Sequence, residues 1–214
     1  MALLQTSTSG TDTAAAKRRR PSALEQEIIN YISQFAQLSE VEIRGIIDSM
    51  NVRIFKKGTV LLKEGQFAKL CYFVLKGCVR QYYVVDGEEK TTEFYTEGQP
   101  VTPYEGNHKR TAAKYFLICE EDCIMTSGTP EDEKKLFAQF PHFEAITRVA
   151  VEEELGKTQE KLANFLLKSP EERYLHLMET RPDLLDRVPQ YQLASYLGIK
   201  PESLSRIRKR IMKK

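Results

Sequence analysis

Residues 188–214 read VPQYQLASYLGIKPESLSRIRKRIMKK, and this stretch decides how the fold of the chain is interpreted. Leu193 and Leu197 lie one helical turn apart, which places both on the same face of a short helix. Gly198 supplies a turn, because glycine readily adopts the left-handed backbone conformation that ends a helix. Pro201 suits the first turn of a following helix, where a missing N–H is tolerated. The stretch therefore predicts two short helices joined by a tight turn, a helix-turn-helix.

The second predicted helix has a polar face that suits the major groove of DNA. Its apolar residues Leu204, Ile207 and Ile211 recur at helical spacing and can face a core. On the other face, arginine can bond guanine as a fork, glutamate can accept a hydrogen bond from cytosine, and serine can bond phosphate or base edges. The residues left for solvent or a partner are Glu202, Ser203, Ser205, Arg206, Lys209 and Arg210.

Basic charge is concentrated at this end of the chain. Residues 199–214 contain seven Lys and Arg residues and one acidic residue, Glu202, whereas the whole chain has a net charge of only +2. Phosphate binding requires such a local excess of cations. A solvated basic helix has the same charge, so charge alone does not separate the two interpretations. The helix, glycine turn and proline-started helix together favour DNA binding.

Composition places the chain among globular proteins of one or two domains. It has 214 residues, of which 41% are hydrophobic, enough to bury a core. It lacks a run of about 18 apolar residues, and its start, MALLQTSTSG (1–10), lacks the apolar core of a secretion signal. We therefore expect a cytoplasmic protein without a membrane partner. Residues 1–23, rich in Thr, Ser and Ala and containing KRRRP (17–21), are predicted to be a disordered tail.

Residues 24–140 are predicted to form a β-barrel domain preceded by short helices. Apolar residues at helical spacing and the capping-box pattern SEVE (39–42) indicate the helices. From residue 52 to about 125, short β-rich runs alternate with glycines. The dipeptide DG (86–87) is a hairpin-turn signal. Many short strands with glycine turns predict a small antiparallel barrel or double-sheet jelly roll.

The helical pattern returns after Pro141 and predicts one long connecting helix over residues 141–168. The apolar spacing of a coiled-coil seam is carried by Val151, Leu155, Thr158, Leu162 and Phe165. On the same helix, three further apolar residues can lie against the barrel: Phe143, Ile146 and Val149. Two copies of the helix can pair along the seam, but a single amphipathic helix packed on its own domain explains the spacing as well. Residues 169–214 form the last predicted domain, which begins with a helix at Pro170.

This order of parts resembles the Crp/Fnr family of bacterial transcription regulators. The resemblance rests on KGTVLLKEG (57–65), YFVLKGCVR (72–80), DGEE (86–89), LASYLGI (193–199) and ESLSR (202–206). It implies an α+β fold: an antiparallel jelly roll like a cyclic-nucleotide-binding domain, a long dimerisation helix and a C-terminal helix-turn-helix domain. The implied function is sequence-specific transcription regulation, and the implied partners are double-stranded DNA, a second copy of the chain and RNA polymerase.

The resemblance also assigns roles to residues of the second helix. It implies that the E-x-x-S-R pattern of the Fnr-like branch reads base edges here through Glu202, Ser205 and Arg206. The flanking residues expected to meet phosphate are Lys200, Ser203 and Lys209. Wing strands, which often accompany such a motif, have room only near residues 187–189.

The expected effector loop departs from the family pattern. Cyclic-nucleotide-binding members have a Gly-Glu-Leu segment after the barrel glycine, whereas this chain reads GQPVTPYEG (98–106). Its two prolines remove two N–H donors from a phosphate cradle. Arg110 and Thr111 resemble the family's phosphate-binding pair, so Tyr104, Arg110 and Thr111 are a candidate ligand site. We do not expect the usual response to cyclic AMP; an unidentified small-molecule effector, or none, remains open.

Other chemistry is less well supported by the sequence. Iron–sulfur sites usually need four clustered thiolates, and the four cysteines at 71, 78, 119 and 123 fit buried small hydrophobes instead. The three histidines at 108, 142 and 176 are too scattered for a metal site of the cupin kind. We therefore expect no cofactor and no enzyme activity. The alternative function is a ligand-binding barrel whose C-terminal domain contacts protein instead of DNA.

Overall fold

The structure is a computed structural model that describes residues 22–33, 38–102 and 111–212. Most of the predicted tail lies outside these ranges. Its last two residues are described: Ser22 is the N-cap of helix α1 (Ala23–Ile32), and Ala23 is the first residue of that helix. Ser22 and Glu25 form a capping box that starts α1 at Ala23, within one residue of the predicted end of the tail. The predicted second helix is confirmed as α2 (Glu40–Ser49), with Ser39 and Glu42 as its capping box.

Two four-stranded antiparallel sheets follow these helices and form the predicted jelly roll. The first sheet has the order β1 (Asn51–Phe55), β8 (Cys123–Gly128), β3 (Cys71–Lys76), β6 (Pro100–Val101). The second has the order β2 (Val60–Leu62), β7 (Phe116–Cys119), β4 (Val79–Val85), β5 (Glu88–Tyr95). Their inward-facing residues, among them Val74, Val79 and Met125, are fully buried and form the barrel core. The period-2 alternation of the strands thus gives the sandwich predicted from sequence.

The hairpin between β4 and β5 turns where the sequence predicts it. Asp86 has φ 53° and Gly87 has φ 78°, so both central residues are left-handed. This is the conformation of the two-residue turn that matches the twist of paired strands. The turn carries the hairpin tip, residues 86–89, away from the barrel core.

Within the described residues, six helices follow the barrel. They are α3 (Pro130–Gln139), α4 (Pro141–Leu167), α5 (Pro170–Thr180), α6 (Asp183–Arg187), α7 (Gln190–Tyr196) and α8 (Pro201–Ile211). Helical structure therefore resumes at Pro130 and not, as predicted, after Pro141. The reason is a complete capping box, in which Thr129 and Asp132 exchange hydrogen bonds in front of a proline at the first turn.

Helix α4 runs along the barrel with much of its apolar surface uncovered. Ile146 is buried against the barrel and α1, as predicted, whereas Val149, predicted to lie there too, is 41% exposed. The predicted seam is exposed, with Leu155 and Leu162 at 58% and 60%. Although α4 has 27 residues, none of the described helices is long and apolar enough to cross a membrane.

The last four helices share a core with the barrel. Leu184, Leu193 and Leu204 are fully buried in one cluster that also contains Phe94 of the second sheet and Cys78, which lies between β3 and β4. In the part of the chain that the structure describes, no strand follows β8. The wing considered near residues 187–189 is therefore not formed there, since α6 runs directly through a short extended segment into α7.

Candidate nucleic-acid interface

Helix α8 has one buried face and one polar exposed face. Leu204 and Ile207 are 1% and 5% exposed and hold the helix to the core, as predicted. Ser203 is half-buried. Four of the exposed side chains are here called the α8 outer face: Glu202, Ser205, Arg206 and Lys209. The structure therefore brings most of the predicted DNA-contacting residues onto one accessible surface.

The N-terminus of α8 is open to an anionic group. Lys200 is the N-cap residue, and no side chain accepts a hydrogen bond from the first turn, where Pro201 already lacks one N–H. The remaining first-turn N–H groups and the positive end of the helix dipole attract phosphate. Exposed Lys200 adds a full positive charge at this position.

The basic residues of α8 are not equally available. Arg210 forms an ion pair with Glu171 of α5 at 3.2 Å, and its side chain is 58% exposed, as predicted for a residue available to solvent. Arg208 is half-buried. Among the described residues, Arg206 and Lys209 have no carboxylate partner. These two side chains therefore carry the accessible positive charge of the α8 outer face.

Helix α7 is packed against strand β5 of the barrel. Ser195 Oγ accepts a hydrogen bond from the Thr91 N–H at 2.9 Å and donates one to the Glu89 carbonyl at 3.2 Å. Gln192, 3% exposed, donates from Nε2 to Glu120 Oε1 at 3.0 Å. Tyr196 meets the ring of buried Phe94 edge-on at a centroid distance of 5.3 Å. These contacts were not predictable from the sequence, because the partners are far apart along the chain.

Arg187, at the end of α6, joins two carboxylates of the barrel. Its Nη1 lies 2.7 Å from Glu97 Oε2, and its Nε donates to Glu121 Oε1 at 2.8 Å. Hydrogen bonds to Glu97, opposed by burial, raise the pKa of Arg187. Burial tends to raise the pKa of Glu97, but hydrogen bonds from Arg187 and the Gly77 N–H outweigh it and lower that pKa. Both groups are therefore held in their charged forms.

Lys161 of α4 connects the barrel with α7. It pairs with Glu93 of β5, and its Nζ lies 4.6 Å from the centroid of the Tyr196 ring. Burial opposes the charge of Lys161, but Glu93 and Tyr196 together outweigh burial and raise the pKa of Lys161. Arg181 adds a further link through a 2.9 Å hydrogen bond from Nη2 to Thr96 Oγ1.

The candidate ligand site predicted around Arg110 is only partly covered by the structure. Tyr104 and Arg110 lie outside the described residues, and Thr111 is exposed. Two further tyrosines of the barrel, Tyr72 and Tyr115, are buried in its core. A different cleft of about 550 Å³ lies where β5, α4, α5 and α7 meet; sequence reasoning missed it because its walls come from four separate segments.

The cysteines behave as buried thiols. Cys78, Cys119 and Cys123 are at most 1% exposed, and all four cysteines are free. Burial raises the pKa of Cys78 to about 12 and that of Cys71 to about 11, which keeps both protonated. Within the described ranges, no three His, Cys, Asp or Glu side chains are grouped to hold a metal ion.

Comparisons with known proteins agree with this architecture. Residues 52–137 match the family described as the cyclic nucleotide-binding domain. No curated protein sequence matches the chain significantly. The c-di-GMP-responsive global regulator CLP of Xanthomonas campestris superimposes with a TM-score of 0.63 at 19% identity, covering 82% of this chain and 92% of that one.

Two further solved structures extend the likeness beyond the barrel. FixK2 of Bradyrhizobium japonicum has a TM-score of 0.63 at 17% identity, covering 77% of this chain and 85% of its own. The catabolite activator protein of Thermus thermophilus has a TM-score of 0.50 at 17% identity, covering 90% of this chain and 87% of its own. Residues 52–137 therefore match a cyclic nucleotide-binding domain, and the chain shares its fold with these three solved structures.

Proposed function

We propose that the protein is a transcription regulator of the Crp/Fnr type that binds double-stranded DNA through α8. The observation that carries the proposal is the α8 outer face, where Arg206 and Lys209 are exposed and unpaired within the described chain, next to the open N-terminus of the helix. In this proposal Glu202, Ser205 and Arg206 contact base edges. Lys200, Ser203 and Lys209 contact phosphate.

The proposed active form is a homodimer that pairs along α4. Leu155, Leu162 and Leu166 are 58%, 60% and 71% exposed, which is unusual for leucines of one helix in a folded monomer. Burying this surface against the same surface of a second copy is the arrangement that the seam spacing favours. Two α8 helices then meet successive major grooves about 34 Å apart on a near-palindromic site.

The domain boundaries follow from the same proposal. The barrel with α1 and α2 is the effector-type domain, α4 is the dimerisation helix, and the segment from about residue 169 onwards is the DNA-binding domain. We propose that the protein acts in the cytoplasm as a regulator and not as an enzyme, with RNA polymerase as a further partner. CLP is described as responsive to c-di-GMP; for this chain the effector is left unassigned.

Selection from a random pool of duplex DNA tests the proposal. Wild type and Arg206→Ala are selected in parallel at moderate salt without added ligand. Wild type is expected to enrich a near-palindromic motif, and the variant is expected to lose it, because a fork-shaped base contact carries about 1–3 kcal/mol of discrimination.

Arg208→Ala is the matched control, because it removes the same charge from α8 at a half-buried position away from the outer face. The Arg208→Ala variant should enrich the same motif as wild type, but it should recover less DNA overall. Equal motifs from wild type and Arg206→Ala would contradict the assignment of α8 to base reading. Enrichment in neither protein would leave protein binding by the C-terminal helices as the better account.

A further inference from the structure

We propose that Cys119 and Cys123 form a peroxide-reactive pair of thiols, which closes to a reversible disulfide inside the barrel. The inference goes beyond the proposed function and does not rest on it, because it assigns a modification site and its oxidant to the barrel alone. Its basis is the contact between the two thiols, the apolar surroundings of that contact, and the short loop that joins the two residues.

The two thiols meet where the chain passes from one sheet to the other. Cys119 is the last residue of β7 in the second sheet, and Cys123 is the first residue of β8 in the first sheet. Both belong to the barrel core and are buried. The Cys119 thiol donates a hydrogen bond to Cys123, which raises the pKa of Cys119 together with burial and lowers the pKa of Cys123. The two sulfur atoms are therefore neighbours, so a small movement brings them to the disulfide bond length of about 2.05 Å.

The surroundings of the pair favour a disulfide over a bound metal ion. Among the core side chains that enclose the pair are Val79, Leu117 and Met125. A disulfide is uncharged, whereas a metal ion with two thiolates brings charge into an apolar core, where unpaired charge is costly. In the described part of the chain, no three His, Cys, Asp or Glu side chains are grouped to hold a metal. The product that fits this site is therefore a disulfide.

The order of the two steps follows from the hydrogen bond between the thiols. Cys123 reacts first, because the thiolate is the nucleophile and the bond from Cys119 stabilises a thiolate at Cys123. Its sulfur attacks one oxygen of hydrogen peroxide, the O–O bond breaks, and a sulfenic acid and one water are formed. The sulfur of Cys119 then attacks that of Cys123, the S–O bond breaks, and the hydroxide leaves with the Cys119 proton as a second water. Two thiols are thereby oxidised to one disulfide, and one peroxide is reduced to two waters.

Peroxide reaches the pair through the loop of residues 120–122. Asp122, the residue before Cys123, has a side chain that is 57% exposed. Its carboxylate pairs with Lys56 at 2.7 Å and accepts a hydrogen bond from the Lys57 N–H at 2.9 Å. Because an exposed ion pair contributes little stability, this end of the loop opens more easily than the sheets on either side of it. Opening at Asp122 uncovers the adjacent Cys123, the thiol that reacts first.

The test follows all four cysteines of the full-length wild-type chain during treatment with hydrogen peroxide. Free thiols are alkylated at intervals, and cleavage after Lys and Arg leaves both residues of the pair in one peptide, residues 115–134. In mass spectrometry, closure makes this peptide two hydrogen atoms lighter and resistant to alkylation, and a thiol reductant reverses both changes.

Cys71 is the internal reference, because it is half-buried whereas the other three cysteines are buried. We expect the pair to close before Cys71 is oxidised, since burial raises the pKa of Cys71 to about 11 and leaves little reactive thiolate. Oxidation of Cys71 while the pair keeps both thiols would overturn the proposal. Oxidation of the pair to sulfinic acid without a disulfide would overturn it as well.

Two variants test the roles of the two thiols. In Cys119→Ala, the sulfenic acid at Cys123 has no thiol to close with, so we expect dimedone to capture it. In Cys123→Ala, we expect Cys119 to remain a free thiol. The matched control is Cys78→Ala, at an equally buried position, and it should close as wild type does. Capture at Cys119 but not at Cys123 would overturn the order of the steps.

A third variant tests the loop as the route for peroxide. Asp122→Ala removes the contacts with Lys56 and Lys57, and we expect the pair to close about fivefold faster, the factor that corresponds to one lost hydrogen-bonded contact. Asp48→Ala, at an exposed position on α2, is the control and should close at the rate of wild type. Equal rates for Asp122→Ala and Asp48→Ala would overturn the loop as the route.

Discussion

Gly198 is the residue on which the turn between α7 and α8 depends. Its φ is +69°, and a Cβ added there would lie 2.8 Å from Cε2 of Phe165. We expect Gly198→Ala to lower the free energy of unfolding by about 1–2 kcal/mol from the backbone alone, with further loss from the contact with Phe165. Urea denaturation followed by circular dichroism measures the change.

Gly156 provides the matched control for Gly198. It lies in the middle of α4, and a Cβ added there meets nothing within 4 Å. Gly156→Ala should therefore raise the free energy of unfolding by about 0.5–1 kcal/mol, because alanine is the better helix former. A Gly198→Ala variant as stable as wild type would contradict the left-handed turn.

The burial of a single residue was predictable where the periodicity of its own helix determines it. The spacing of Leu204 and Ile207 predicts burial, and both are buried. Gln192 and Ser195 were not predictable, because each is a polar residue of a short helix whose partner lies in the barrel. The periodicity of α7 predicts which side of the helix is apolar, but it does not predict the hydrogen bonds with Glu120 and Thr91. Long-range polar contacts of this kind leave no local pattern.

At the scale of elements, helix α4 carries the dimer hypothesis. Leu155→Glu/Leu162→Glu places two charges in the proposed seam, and we expect a dimer of wild type to become a monomer, because a buried unpaired charge is costly. Sedimentation velocity at micromolar concentration measures the change. Val41→Glu, at an 82% exposed position on α2, is the control and should remain dimeric. A variant that stays dimeric would move the interface away from α4.

The helices and strands show which sequence patterns predict secondary structure correctly. The capping box of α2 and the Asp86-Gly87 turn predicted their elements correctly, since the physical cause is local. Helix α3 was missed, although Thr129, Pro130 and Asp132 form a helix start of the same kind. Phe165 was assigned to the seam of α4, but its ring packs against Gly198 and under the Arg173 guanidinium, 4.7 Å from the ring centroid. Heptad spacing alone does not reveal such a competing partner.

For the whole molecule, the order of parts was predictable, whereas their mutual packing was not. Glycine-punctuated strands followed by helices predicted a jelly roll with a helical C-terminal part, and this is confirmed. The docking of α6 and α7 on the barrel depends on complementary charges separated by at least 66 residues, such as Glu121 and Arg187. The effector loop around Arg110 lies outside the described residues and stays a prediction.

The salt dependence of DNA affinity tests the central claim, that the protein reads DNA with the α8 outer face, most directly. Each phosphate contact contributes about −0.9 to the slope of log affinity against log salt concentration. For a dimer, Lys209→Ala should make the slope shallower by about 2, and Arg206→Ala should abolish preference for the selected site with little change in slope. A flat slope for wild type, or a slope unchanged by Lys209→Ala, would contradict the claim.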